Sequence, residues 1–551
     1  MLIKLSGGTV YDPVHGINGE IRDLYIQNGK ISRKPASNEK ITKSYDLTGK
    51  VVMAGAIDIH THIGGGKVNI ARMMLPEDHR DNPSAKTHLT RSGSGHSAPS
   101  TMTTGYRYAE MGYTACFEPA MLPINARQAH MEMCDTPMVD KGAYALLGND
   151  DFFLRMLSSK KNQEAISDYV GWIINASKAM AIKVVNPGGI SAFKFNQRKL
   201  DLDGINKYYN VTPRQILIAL ARAVRELGIP HPLHVHGCNL GVPGNMRTTL
   251  DTIKAVEGMP MHLTHVQFHS YGTEGPRKFS SGAAEIAEAI NHNPNISMDV
   301  GQVLFGQTVT ASGDTMLQYA GHRHAHPKKW VVMDIECDAG CGVVPFKYKD
   351  KNFVNALQWT IGLELFLMVK DPWRIFLTTD HPNGAPFTFY PHLIRLLMDK
   401  SFRNDMLSTI NKGAATTSSL NGLDREYTLY EIAIMTRAAP AKSLGLKNRG
   451  HLGSGAAADI TVYSPHSNKE TMFSKPLYVF KDGELIVKSG KIVKVVSGST
   501  HALRPEYDNN IERSLKQYFD RYQSVKLDNF KLGDDEITEL GKGNIIIQPC
   551  H

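Results

Sequence analysis

The run Gly55-Ala-Ile-Asp-Ile-His60-Thr-His62 constrains this chain more than any other. An apolar, β-prone stretch ends in two histidines two residues apart. Strand side chains alternate faces, so both imidazoles leave one strand end on the same side, as two ligands of one metal ion require. In a chain with 23 histidines such a pair also arises by composition, and His234-Val-His236 and His322-Arg-His324-Ala-His326 repeat it. A metal reading therefore needs further donors at the ends of successive strands, with positions left open for water and substrate.

Such donors follow in order. Ala179-Met-Ala-Ile-Lys183-Val-Val-Asn-Pro-Gly-Gly reads as a buried strand with a lysine near its end and a turn after it. A lysine there is costly unless paired or modified. Pro232-Leu-His234-Val-His236 is a second strand, Met261-His262-Leu-Thr-His265-Val-Gln-Phe-His269 a third, and Arg374-Ile-Phe-Leu-Thr-Thr-Asp380 a fourth that ends in a carboxylate. Between them lie helical patterns such as Pro213 to Gly228, capped by Thr212 and stopped by glycine. Strands alternating with helices imply parallel βαβ units. Polar residues at strand C-terminal ends, spread over most of the chain, point to a (β/α)8 TIM-like barrel.

With these residues in place the chain resembles the amidohydrolase superfamily, whose two-metal members bridge their ions with a carboxylated lysine. Longer runs narrow the likeness: Lys67-Val-Asn-Ile-Ala-Arg72, Lys183 to Gly189, Asn239-Leu-Gly-Val-Pro-Gly-Asn245, Thr264 to Tyr271 and Leu377 to Gly384. Over roughly residues 1 to 500 they resemble the A-subunit family of formylmethanofuran dehydrogenase and of the bacterial formyltransferase/hydrolase complex. The resemblance implies that His60, His62 and Asp380 hold one zinc, that His236 and His265 hold a second, and that carboxylated Lys183 bridges the two. His234 shares a strand face with His236; the latter is expected to be the ligand because it lies nearer the barrel mouth. His262 and His269 are expected to be core groups or to orient ligands. Lys194 is the alternative to Lys183 as the bridging residue.

The implied reaction is hydrolysis of the formyl amide of methanofuran or methylofuran to formate and the free furfurylamine coenzyme, with Asp380 as the acid/base group. The same site run backwards condenses formate with the amine. The opening Met1 to Gly16 and the run from Gly340 to Lys351 look more like the bacterial type, which releases formate. Implied partners are a formyltransferase subunit, the other subunits of that complex and a polyglutamylated coenzyme. Lys67, Asn69 and Arg72, in the long stretch after the first ligand strand, and Asn239 and Asn245, after the His236 strand, are the expected substrate contacts. Two other readings fit the same residues. One is an amidohydrolase acting on a cyclic amide or acylated amino sugar, as dihydroorotases, hydantoinases and deacetylases do. The other is a scaffold subunit without catalysis.

Composition narrows the class. A chain of 551 residues accommodates a barrel plus smaller accessories. With 42% hydrophobic and 21% charged residues it is an ordinary globular sequence. It has no apolar run of membrane-spanning length and no signal-peptide pattern, so the cytoplasm is the expected location. A net charge of +9, spread rather than blocked, gives no nucleic-acid signature but suits an acidic ligand. Six scattered cysteines imply no disulfide framework, and Cys337 and Cys341 are expected to be structural. Short strands joined by Asn-Gly and Gly-Lys turns in residues 1–52 and again in 441–500 are expected to pair as a small β-sandwich around a barrel at 53–440. Residues 501–551 are expected to form an extension carrying an amphipathic helix.

Overall fold

The computed structural model describes residues 1–551 apart from 196, 198, 312–320, 332–341 and 542. The side chain of Lys194, the residues Cys337 and Cys341, and the start of the run at Gly340 lie outside the described part.

Eight strands, Ala56–Asp58, Tyr113–Met121, Asp140–Leu146, Ala181–Val185, Leu233–His236, Met261–Leu263, Ile296–Asp299 and Ile375–Phe376, pair in parallel and in sequence order. The first and last meet just beyond their ends, where Thr61 bridges His381 and the His62 amide donates to the His381 carbonyl at 2.8 Å. This contact closes the sheet into the barrel that the sequence pattern implies. The strands read as continuous apolar runs because both faces are buried, one by the barrel interior and one by helices. The helix Pro213–Glu226 shows why the crossovers form. Thr212 and Gln215 cap each other reciprocally, Pro213 takes the first turn where its missing amide is harmless, and Gly228 accepts a φ of 61° just beyond the end.

The chain ends build a second layer, whose strands pair as one nine-stranded sheet around a core of its own. The strand Leu2–Asp12 is responsible. Its first half, Ile3 to Ser6, pairs with Lys43–Asp46, and its second half, Thr9 to Tyr11, pairs with Val51–Ala54. Between them a bulge interrupts its pairing with Ile17–Gln27, and Gly7 takes a φ of 69° there, which a residue with a Cβ adopts only with strain. One strand thus serves two neighbours on one edge. The C-terminal contribution enters through Ile460–Tyr463, antiparallel to Val51–Ala54, so the chain's two flanks share one sheet as the sequence suggests.

The extension is more than a helix. Thr500–Leu503 and Ile545–Gln548 pair in parallel and join the barrel sheet at Lys141. The helix Ile511–Tyr522 packs on its own barrel, where Phe519 meets Trp172 edge-on and the Trp172 indole donates to Glu512 at 3.1 Å.

A buried charge cluster ties the three parts together. Asp140, on a barrel strand, accepts from Arg449 at 2.9 Å, from His501 at 3.2 Å and from the Ser499 amide at 2.8 Å, and pairs with Lys481 at 3.1 Å. Lys481 and Arg449 also reach Asp459 in the nine-stranded sheet, at 3.3 and 3.2 Å. Burial alone would raise the Asp140 pKa, but Lys481, Arg449 and His501 hold it well below the usual carboxylate value. Its contribution to stability is therefore present at neutral pH and is lost only as the pH falls below that range. Asp140→Ala leaves two buried cations short of a partner and is expected to cost about 3–5 kcal/mol, read as a lower midpoint in urea unfolding.

Candidate metal centre

The first ligand strand is held from below. The buried Asp58 carboxylate accepts the His60 amide at 3.1 Å and the Tyr108 hydroxyl at 2.7 Å, with the Tyr390 hydroxyl as a further donor. Burial pushes its pKa up to about 6. Fixed in this way, His60 and His62 converge on one oxygen: His60 Nε2 lies 3.0 Å and His62 Nε2 3.3 Å from Asp380 Oδ1. Ligand atoms about 2.0–2.1 Å from one tetrahedral zinc are themselves about 3.3 Å apart, and both nitrogens stand near that spacing from the carboxylate oxygen.

The outward-facing nitrogens are fixed as well. His62 Nδ1 lies 2.9 Å from Glu118 Oε1, while Glu118 Oε2 accepts the amides of Ile63 and Gly64 at 2.7 and 3.2 Å. Burial lowers the His62 pKa, but Glu118 and Asp380 outweigh it and bring the value to about 9. His60 Nδ1 faces Asp299 Oδ2 at 3.1 Å and His234 Nε2 at 3.0 Å. Each histidine therefore has a carboxylate behind it, the arrangement that selects the tautomer with Nε2 available to a metal.

A second donor group adjoins the first. Ligand atoms of His236, His265 and His269 lie within 4.8 Å of one another. The His236 and His265 rings cross at 85° with centroids 4.6 Å apart, and His265 lies 5.4 Å from His60 by the same measure. His265 Nδ1 is buried and has no hydrogen-bond partner among the described residues. A buried nitrogen in that state is costly, and a cation satisfies it. Lys183, on the neighbouring strand, is buried and donates to Thr264 Oγ1 at 3.2 Å. Burial brings its pKa down to about 7, against the pull of Asp299 and Asp380.

His234 is buried deeper in the barrel than the sequence pattern distinguishes. It continues from His60 to His231 at 2.8 Å and on to Ser443 Oγ at 2.9 Å, and stacks on His262. His236 therefore faces the His265 group and His234 the interior. His262, expected to be a core or ligand-orienting group, donates toward Asp299 at 3.1 Å. His269, expected likewise, stands within reach of the second donor group. The sequence reasoning passed over Asp299 and Glu118. Asn295-Ile-Ser-Met-Asp299 is an apolar run ending in a carboxylate, the same signal that singled out Asp380, and Glu118 interrupts an apolar strand.

The expected substrate contacts divide. Arg72 spends its donors on the carbonyls of Pro99 and Ile63, both at 3.0 Å, on Asn69 at 3.1 Å and on Glu132 at 3.4 Å, while Asn69 also donates to Glu132. Asn245 donates to the carbonyls of Asn239 and Phe268 and accepts the Tyr271 amide. Asn69, Arg72 and Asn245 thus hold loops together, contrary to expectation, and the stretch after the first strand is organised by the helices Gly66–Met74 and Pro76–Asp81. Asn239 donates to Asp201 at 2.8 Å. Lys67 is near the donor groups, since its charge helps depress both Lys183 and His236. Over Asp380 opens a cavity of about 210 Å³ whose walls include Leu240, Phe268, Phe346 and Tyr348, an apolar and aromatic chamber with a carboxylate at one end.

Residues 43–493 match the model of the amidohydrolase family. Protein FwdA of Methanocaldococcus jannaschii is 42% identical, with 96% of each chain covered. The Fhc A-subunit of the formyltransferase/hydrolase complex of Methylorubrum extorquens is 41% identical over 98% of each chain. A chain in the crystal structure of the formyltransferase/hydrolase complex FhcABCD from Methylorubrum extorquens with methylofuran superimposes with a TM-score of 0.93 at 40% identity, covering all of both chains. Among the described residues no helix is long and apolar enough to cross a membrane. A parallel barrel closed beside its first histidine pair, with donors on successive strand ends and a family match over most of its length, makes this chain a member of the amidohydrolase family.

Proposed function

We propose that this chain is the hydrolase component of a formyltransferase/hydrolase complex and releases formate from an N-formylated furfurylamine coenzyme of the methanofuran or methylofuran type. The observation that carries the reading is the convergence of His60, His62 and Asp380 beside His236, His265 and Lys183, under an aromatic chamber, in a chain that matches the Fhc A-subunit end to end. His60, His62 and Asp380 would hold one zinc, His236 and His265 would hold a second, and Lys183, once carboxylated, would serve as a further ligand. A Lys183 amine with a pKa near 7 is substantially uncharged at neutral pH, the form that takes up carbon dioxide. When bound, the two ions lower the pKa of water and polarise the formyl carbonyl.

The chain's own groups do the rest. The apolar walls receive the furan ring and keep bulk water off the amide. A formyl amide resists attack because its nitrogen lone pair is delocalised, so the departing amine needs a proton. Asp380 is kept ionised because His265, His60 and His62 outweigh the effect of burial. It accepts a proton from the attacking water and returns it to the leaving nitrogen. Glu118 and Asp299 hold His62 and His60 in register for this work. A scaffold subunit has no need of these positions, yet every one is filled.

Asp380→Asn is expected to lower kcat for formate release by about 10²–10⁴-fold, measured with the purified complex. Glu118→Gln and Asp299→Asn are expected to weaken zinc retention by about 10–100-fold against a competing chelator. In metal-free complex, His62 below pH 9 carries a proton that zinc must displace, and Lys183 below pH 7 carries one that must leave before the amine takes up carbon dioxide. Zinc affinity is therefore expected to fall as pH is lowered from 9 to 6, and a pH-independent titration contradicts the assignment.

A further inference from the structure

One polar side chain of the chamber over Asp380 has hydrogen-bonding capacity that the fold leaves half used. Asn383 lines this chamber, is only 4% exposed and is held at three points. Its backbone N–H donates to the Asp380 carbonyl at 2.6 Å and closes a tight turn, its carbonyl accepts the Tyr348 hydroxyl at 3.1 Å, and its Oδ1 accepts the Ala311 amide at 2.8 Å. The last bond fixes which way the side-chain amide points, because only an oxygen accepts an N–H. Nδ2 therefore carries two N–H groups, and neither has an acceptor among the described residues. Other amides of the chamber wall are engaged: Gln358 donates to the Tyr271 hydroxyl at 2.9 Å and Asn355 to Gln358 at 3.3 Å. A nearly buried donor without an acceptor costs free energy that a bound ligand recovers.

The turn also sets what this donor faces. Asp380 and Asn383 are its first and last residues, and both line the same chamber. Asp380 starts the turn at a φ of 50°, an unfavourable conformation for a residue with a Cβ that the surrounding bonds must hold. One end of the turn thus presents an acceptor and the other a donor. A secondary amide offers the complementary pair, an N–H and a C=O on adjacent atoms.

We propose that Asn383 is a catalytic residue whose Nδ2–H donates to the formyl oxygen of the substrate while Asp380 takes the nitrogen end of the same amide. The inference rests on the hydrolase reading for the identity of the amide and adds the residue that recognises its oxygen. When water attacks, the carbonyl π electrons move onto that oxygen, and a donor already aimed at it gains strength as the charge grows. The bonds to Asp380, Tyr348 and Ala311 hold the donor before substrate arrives, so it needs no reorganisation during reaction. The same contact discriminates, since the free amine lacks the formyl oxygen.

The test uses the whole complex carrying wild-type chain, Asn383→Asp or Asn383→Ala. Asn383→Asp keeps an oxygen for the Ala311 amide and removes both donors, whereas Asn383→Ala removes the donors without adding charge. Both are expected to lower kcat for formate release from N-formylmethylofuran by about 10²-fold, with KM changed less and with zinc content and thermal midpoint at wild-type values. A loss confined to Asn383→Asp is an effect of charge beside Asp380 and overturns the proposal. A fall in zinc content or thermal midpoint in both variants marks a structural role and overturns it as well. Binding is measured separately in complex stripped of metal by a chelator, where turnover is absent. Affinity for N-formylmethylofuran is expected to fall about 10-fold in both variants while that for methylofuran does not fall. This selective loss supports the donor even if the zinc-loaded wild type releases no formate, in which case the hydrolase reading alone fails. Equal weakening of both ligands, or wild-type kcat in both variants, overturns the role of Asn383 and leaves the hydrolase reading intact.

Discussion

The carboxylate of Asp299 is the constraint on which the rest of the centre depends. Wholly buried at the end of a barrel strand, it faces His60 Nδ1 and His262 Nε2, both at 3.1 Å, and accepts the His265 amide at 2.8 Å and the Thr378 hydroxyl at 2.9 Å. Burial raises the energy of an isolated carboxylate steeply, but His60 and His262 reverse the balance, and its pKa lies well below the usual value. One group thereby sets the tautomer of a histidine in the first donor group and the backbone of one in the second. His265 is held at a φ of 35°, an unfavourable conformation for a residue with a Cβ, and the amide bond to Asp299 helps to fix it. The two donor groups are coupled through the two oxygens of one carboxylate that belongs to neither.

This arrangement also accounts for the composition of the barrel interior. Barrels of this kind are ordinarily filled with branched apolar side chains. Here His60, His231, His234, His262 and Asp299 occupy that space as a hydrogen-bonded set running from the strand ends to Ser443. Polar groups in such a place destabilise unless paired, and these are paired with one another. The polar interior fixes the centre's geometry from behind while the front opens on an aromatic chamber.

Much of this was legible in the sequence because the governing periodicities are short. Two histidines on alternate strand positions, a lysine in an apolar run and a carboxylate closing another are local patterns, and the structure brings all of them together. What escaped notice depends on contacts between distant segments. Glu118 and Asp299 act through residues 56 and 239 positions away. Alternation alone did not separate His234 from His236, but the position of each along its strand, nearer to or farther from the barrel mouth, did. Asn69, Arg72 and Asn245 looked free for substrate because their partners, Glu132, Pro99, Phe268 and Tyr271, lie on other elements. The paired flanks were readable from strand and turn signals. Their merger into one sheet turned on a bulge at Gly7, which lets one strand change neighbours halfway along.

The central claim is that two metal ions sit side by side between the His60 and His236 groups with Lys183 joining them. Anomalous X-ray diffraction at the zinc edge from crystals of the complex tests it most directly. The account predicts two peaks about 3.5–4 Å apart, one among His60, His62 and Asp380 and the other beside His236 and His265, with density for a carboxyl group on Lys183 Nζ. A single ion among His60, His234 and Asp299, the remaining donor group of the described residues, or an unmodified Lys183 amine beside two bound ions, contradicts it.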